Sequence, residues 1–67
     1  MFNEEIYEKL REEFAEDKMP LVCNTISVLY DIKLNAANHM DLITEYDYER
    51  DWWMNKCNEL INAKEVL

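Results

Sequence analysis

Residues 20–43, PLVCNTISVLYDIKLNAANHMDLI, decide the fold, because this stretch reads in two ways. Ile26, Val28, Tyr30, Ile32 and Leu34 alternate as they would along a strand. Val22, Ile26, Leu29, Ala36, Met40 and Ile43 recur as they would along a helix, with Lys33 breaking the series. A strand needs a neighbour, and a 67-residue chain offers none unless two copies share a sheet. Composition favours the helix: the chain has no glycine and one proline, where ordinary usage of about 7% would give roughly five glycines. The tight turns of a sheet draw on glycine. The stretch is therefore expected to be helical, kinked or broken near Asn35 and Asn38.

Towards the N-terminus, Ile6, Leu10 and Phe14 recur every four residues, and so do Glu4, Glu8, Glu12 and Glu16, two places out of phase. Two residues are about 200° of helical rotation, so an apolar stripe and a carboxylate ridge fall on opposite sides of one helix. Asn3 is the expected N-cap, Glu4 and Glu5 suit the first turn, and Phe2 against Tyr7 makes a hydrophobic staple. Pro20 is expected to end this helix and to occupy the first turn of the next. Towards the C-terminus, Thr44 reads as an N-cap, with Asp47 three residues on and Ile43 against Tyr48 as a staple. Trp53, Leu60 and Leu67 lie a heptad apart, with Cys57 and Ile61 widening the stripe. The expectation is a single all-α domain over residues 1–67, a small bundle of about three helices at roughly 3–18, 20–42 and 44–66. So short a chain buries little surface, and homodimerisation is a natural way to complete it.

The net charge of −8 is concentrated. Residues 1–18 carry seven acids and three bases, and residues 41–51 carry Asp41, Glu45, Asp47, Glu49 and Asp51 against Arg50 alone; the other two segments balance. Such a surface argues against direct contact with nucleic acid or an anionic membrane, both of which call for clustered Lys and Arg. It fits a protein with a basic surface. No apolar run approaches the ~18 residues of a membrane span, and the first residues lack a signal peptide's basic start and apolar core, so a cytoplasmic protein is expected. Cys23 and Cys57 have no CxxC spacing and sit among apolar neighbours, as reduced core thiols do, although the sequence also permits a bridge between them.

Catalytic chemistry is hard to place. Without glycine there is no phosphate-cradling loop, and a single histidine, His39, rules out a two-histidine metal motif. His39 has no ligand spacing to Asp41, Cys23 or Cys57, and no base is evidently placed to activate Ser27 or Cys23. Carboxylates on exposed ridges lack the burial by which an acid is adapted to catalysis at neutral pH. No enzymatic activity, metal or cofactor is expected.

A binding role is better supported. Like charges at i,i+4 cost an isolated helix roughly 0.2–0.5 kcal/mol per pair, so a carboxylate ridge is not a choice stability would make. Glu16 and Asp17, read at the C-terminal end of the first helix, oppose its dipole. Adjacent tryptophans point about 100° apart, so with Trp53 in the core stripe Trp52 falls at its flank beside Tyr48, as an interface anchor would. The expected partner-binding residues are Glu4, Glu8, Glu12 and Glu16 of the ridge, Asp41, Glu45, Asp47, Glu49 and Asp51 of the second patch, and Tyr48 and Trp52. In size, acidity, poverty of motifs and mixed aromatic and carboxylate surface, the chain resembles phage-encoded counter-defence proteins of the anti-CRISPR or anti-restriction kind. That resemblance of class implies a small inhibitor blocking a basic nucleic-acid-binding protein or nuclease, as a nucleic-acid mimic does. Two other functions fit the same residues: a homo-oligomeric helical adaptor joined through Trp52, Trp53 and Leu60, and an acidic antidote to a basic toxin.

Overall fold

The computed structural model describes residues 3–65, which form three helices: α1 (Asn3–Glu13), α2 (Met19–Ala36) and α3 (Met40–Glu65), with a 3-10 turn over Glu16–Lys18. The protein is a small all-α bundle, with no strand among the described residues. α3 is continuous over 26 residues, a length of about 39 Å that accounts for the 42 Å long dimension of the molecule. α2 and α3 pack antiparallel, with Ser27 opposite Arg50 and Tyr30 opposite Tyr46. α1 attaches to this hairpin through Tyr7, which meets Trp52 edge-on at 6.4 Å.

The helix boundaries depart from the expected 3–18, 20–42 and 44–66, each for a visible reason. α1 stops at Glu13, and its last i→i−4 bond runs from the Phe14 N–H to the Leu10 carbonyl (2.9 Å). Ala15 is extended, and the Lys18 N–H closes the 3-10 turn on its carbonyl (2.9 Å). Pro20 therefore does not end α1; it occupies the first turn of α2, as expected. Breaking at Ala15 relieves the dipole conflict. Glu16 and Asp17 no longer close α1 but lead into α2, at the end of a helix that favours negative charge.

α2 ends at Ala36, where Ala37 turns extended and donates to the Leu34 carbonyl (3.2 Å), so the break falls between Asn35 and His39. α3 starts four residues before Thr44, which lies inside the helix and is not its cap. The capping group is His39: its Nδ1 accepts the Asp41 backbone N–H (3.3 Å), and the Ile43 N–H makes the first i→i−4 bond to the His39 carbonyl (3.0 Å). Asn3 does not cap α1 through its side chain either; it is buried in the helix with no protein partner for Oδ1. The staple through Phe2 and the heptad position Leu67 lie outside the described residues.

The core consists of Tyr7, Met19, Cys23, Trp53 and Cys57, flanked by residues that include Ile6, Leu10, Ile26, Tyr30 and Leu60. Met19, Cys23 and Ser27 on α2 face Glu49, Trp53 and Cys57 on α3, two rows of i,i+4 spacing. Ser27 is small enough for the helices to approach until its Oγ donates to the Arg50 carbonyl (3.3 Å). On α1 the buried face runs through Asn3 and Tyr7 and not out to Phe14, which is 45% exposed because the helix has ended before it.

Both cysteines are free and buried. Burial pushes the Cys23 thiol from 9.0 up to about 11, with Cys57 adding to the rise and Lys56 opposing it. The Tyr30 phenol is also raised, by burial first and then by Glu49, Glu45 and Tyr46. Above their ordinary values the unfolded chain sheds these protons while the folded chain keeps them. The resulting stabilisation is complete below the unfolded values and lost as pH rises through the folded ones. The melting temperature is expected to hold level to about pH 8 and to fall between about pH 9 and 11. A level profile across that range, from thermal scans followed by circular dichroism, would contradict the sealed thiol.

Candidate protein-docking surface

Four of the seven bases, Arg11, Lys33, Arg50 and Lys56, have partners within the fold. Lys56 Nζ lies over the rings of Tyr7 (5.0 Å) and Trp52 (5.2 Å), and Lys33 Nζ over Tyr30 (5.4 Å) and Tyr46 (5.5 Å). Arg11 pairs with Glu8 (3.7 Å) and sits over Tyr7. Arg50 is a hub, bonded to Asp31 of α2 (3.1 Å), to Asp47 and to Asp51 (3.4 Å). The hydrogen bond it donates to Asp31 is the largest influence raising its already high pKa, and Asp47 and Asp51 add to it, so it is charged at any working pH. Sequence reasoning missed this hub; Arg50, the lone base among five acids, was the available signal.

Acids outnumber bases on the outer faces. Glu4, Glu8 and Glu12 share the exposed side of α1, around a shallow depression that also takes in Glu5 and Lys9. Glu16 is exposed but belongs to the 3-10 turn, so the expected four-residue ridge is a three-residue one. On α3, Asp41, Glu45, Asp47 and Asp51 are exposed. Asp47, Tyr48, Asp51 and Trp52 border one shallow depression with Thr44 and Asn55. Tyr48 is 64% exposed, a large aromatic ring set among carboxylates.

Two expected site residues are placed differently by the structure. Glu49 is 4% exposed and faces the core, so it is not part of an outward patch. An i,i+4 row advances about 40° around the axis at each step, and the row Asp41, Glu45, Glu49 has turned inward by its third member. Trp52 is half-buried rather than free: Tyr7, Lys56 and Trp53 (ring centroids 4.9 Å apart) surround it, and its first duty is to hold α1. Only part of its surface is left to the depression.

The buried Glu49 Oε2 has no protein partner. A carboxylate in such a position works against folding, and an apolar group of similar volume removes that cost. Glu49→Leu is expected to stabilise the fold by about 1 kcal/mol or more, which for a chain this size raises the melting temperature by about 4–8 °C. A lower melting temperature in the variant would show that the carboxylate supports the fold.

Among the described residues no cluster of three or more His, Cys, Asp or Glu could hold a metal, and no helix is long and apolar enough to cross a membrane. Comparison of the chain with protein-family models, curated proteins and solved structures finds no match. The surface itself defines the class: a small helical protein with acidic and aromatic residues gathered on the outer face of one long helix.

Proposed function

We propose that this chain is a non-enzymatic, protein-binding inhibitor whose α3 outer face docks on the basic surface of a nucleic-acid-binding protein or nuclease and occludes it. The observation that carries this reading is the exposed Tyr48 standing among Asp41, Glu45, Asp47 and Asp51, whose combined negative charge exceeds the one nearby base, Arg50, that Asp47 and Asp51 share with Asp31. Carboxylates one turn apart on a rigid helix lie about 6 Å from each other along the axis, of the order of phosphate spacing along a nucleic-acid strand. They supply attraction and on-rate, and Tyr48 with the open edge of Trp52 supplies the contact that excludes water. Glu4, Glu8 and Glu12 extend the negative field without an aromatic anchor. A target of this kind places the protein in the cytoplasm, consistent with a counter-defence role for a phage.

The test is affinity capture from a bacterial lysate on the immobilised chain, eluted by salt and, separately, by duplex DNA. Retained basic proteins that DNA displaces, and whose nucleic-acid binding the free chain inhibits, support the reading. Retention indifferent to both salt and DNA counts against it. A second reading, a homo-oligomeric helical adaptor, is favoured by a different observation: α2 carries apolar side chains on the side facing away from the bundle.

A further inference from the structure

Opposite its buried row, α2 presents Leu21 (64% exposed), Val28 (47%), Leu29 (54%) and Ile32 (59%) to solvent. Between them lies Thr25, whose Oγ1 donates back to the Leu21 carbonyl (2.8 Å) and so offers no unmet polar group to a partner. We propose that this stripe is the interface of a homodimer in which α2 pairs antiparallel with α2 of a second copy. The proposal rests on α2 alone and is independent of the docking role assigned to α3.

Three observations select a second copy as the occupant. The first is charge. The acids lie on α1, the 3-10 turn and α3, whereas α2 carries only Asp31 and Lys33. Asp31 is bonded to Arg50, and Lys33, the one base of α2, lies over two tyrosines, which leaves this face without an unpaired carboxylate. Two chains of net charge −8 can meet here with the least repulsion, while a basic partner is drawn to the other faces. The second is spacing. Leu21, Thr25, Val28 and Ile32 are separated by four, three and four residues, the 3.5-residue seam of paired helices. That spacing is symmetric about a point between Ile26 and Ser27, so a two-fold axis there sets Leu21 against Ile32 and Thr25 against Val28. Asp31 then faces Val22 of the other copy; a parallel pair would bring Asp31 beside Asp31. The third is area. Leu21, Val28, Leu29 and Ile32 are 64, 47, 54 and 59% exposed, roughly 400 Å² per copy, so two copies bring together about 800 Å² before the exposed Thr25 between them is added, close to the ~1,000 Å² expected of a specific interface.

Sedimentation equilibrium on the full chain, up to about 200 µM, tests this. The expected result is a dimer that salt leaves unchanged or tightens, since screening reduces repulsion between two acidic chains. L21E/I32E is expected to weaken it by about 100-fold or more while keeping the helical circular dichroism signal, because both side chains are already exposed. L21C/I32C should form a covalent dimer under mild oxidation and L21C alone should not. A wild-type monomer at the highest concentration, a dimer that survives in L21E/I32E, or cross-linking of L21C alone would overturn the proposal.

Discussion

Trp53→Ala is expected to leave the chain largely unfolded near 25 °C. Trp53 is 1% exposed and is the largest side chain in a core of five buried apolar residues contributed by all three helices. Truncating a buried tryptophan costs about 3–5 kcal/mol, because the hole it leaves collapses only in part. At roughly 0.05–0.15 kcal/mol per residue, a domain of this length holds about 3–10 kcal/mol, so one substitution removes much or all of its stability. The far-UV signal at 222 nm and urea denaturation would report this directly. Trp53→Phe should recover most of the fold: it keeps an aromatic ring and removes a buried Nε1 donor that has no protein acceptor. A folded Trp53→Ala would mean that the α2–α3 hairpin is held mainly by something other than this packing.

The two-way reading of residues 20–43 has a single cause. Positions two apart on a helix lie about 200° apart, so a helix that is apolar on two opposite sides alternates in the same way as a strand. Ile26, Tyr30 and Leu34 are partly buried on the side facing the bundle, and Val28 and Ile32 are exposed on the other. The alternation thus reports two apolar faces, one of them uncovered, and the absence of glycine was enough to choose the helix. The helix ends were less legible. His39 caps α3 with a ring nitrogen, a choice that a search for Ser, Thr, Asp and Asn passes over. Glu16 and Asp17 read as a conflict at the end of α1 only because that helix was extended to Lys18; once Ala15 breaks the chain, they belong to the approach to α2. Of the candidate site, the exposed acids and Tyr48 could be read from the sequence. Glu49 could have been excluded as well, since it stands one turn before Trp53 and shares its face.

Replacing Tyr48 with alanine and reversing Asp41 and Glu45 to lysine should act on different parts of partner binding, and that difference makes the second large effect informative. Tyr48 is exposed, so its truncation should leave the melting temperature within about a degree while weakening the captured complex by tenfold or more, through faster dissociation. D41K/E45K changes two exposed charges that make no ion pair with the Arg50 hub. It should slow association severalfold at about 50 mM salt and far less at about 500 mM, where charges more than a few ångströms apart no longer steer the encounter. E4K/E8K, on α1, is the companion variant: it carries the same change in net charge but lies on a face without an exposed tyrosine. If E4K/E8K abolishes binding and Tyr48→Ala does not, the docking face is α1 and the assignment to α3 is wrong. If D41K/E45K and E4K/E8K slow association equally and Tyr48→Ala alone accelerates dissociation, both acidic faces steer and α3 makes the contact. That division is the one expected when negative charge is spread over two helices and an exposed aromatic ring stands on only one of them.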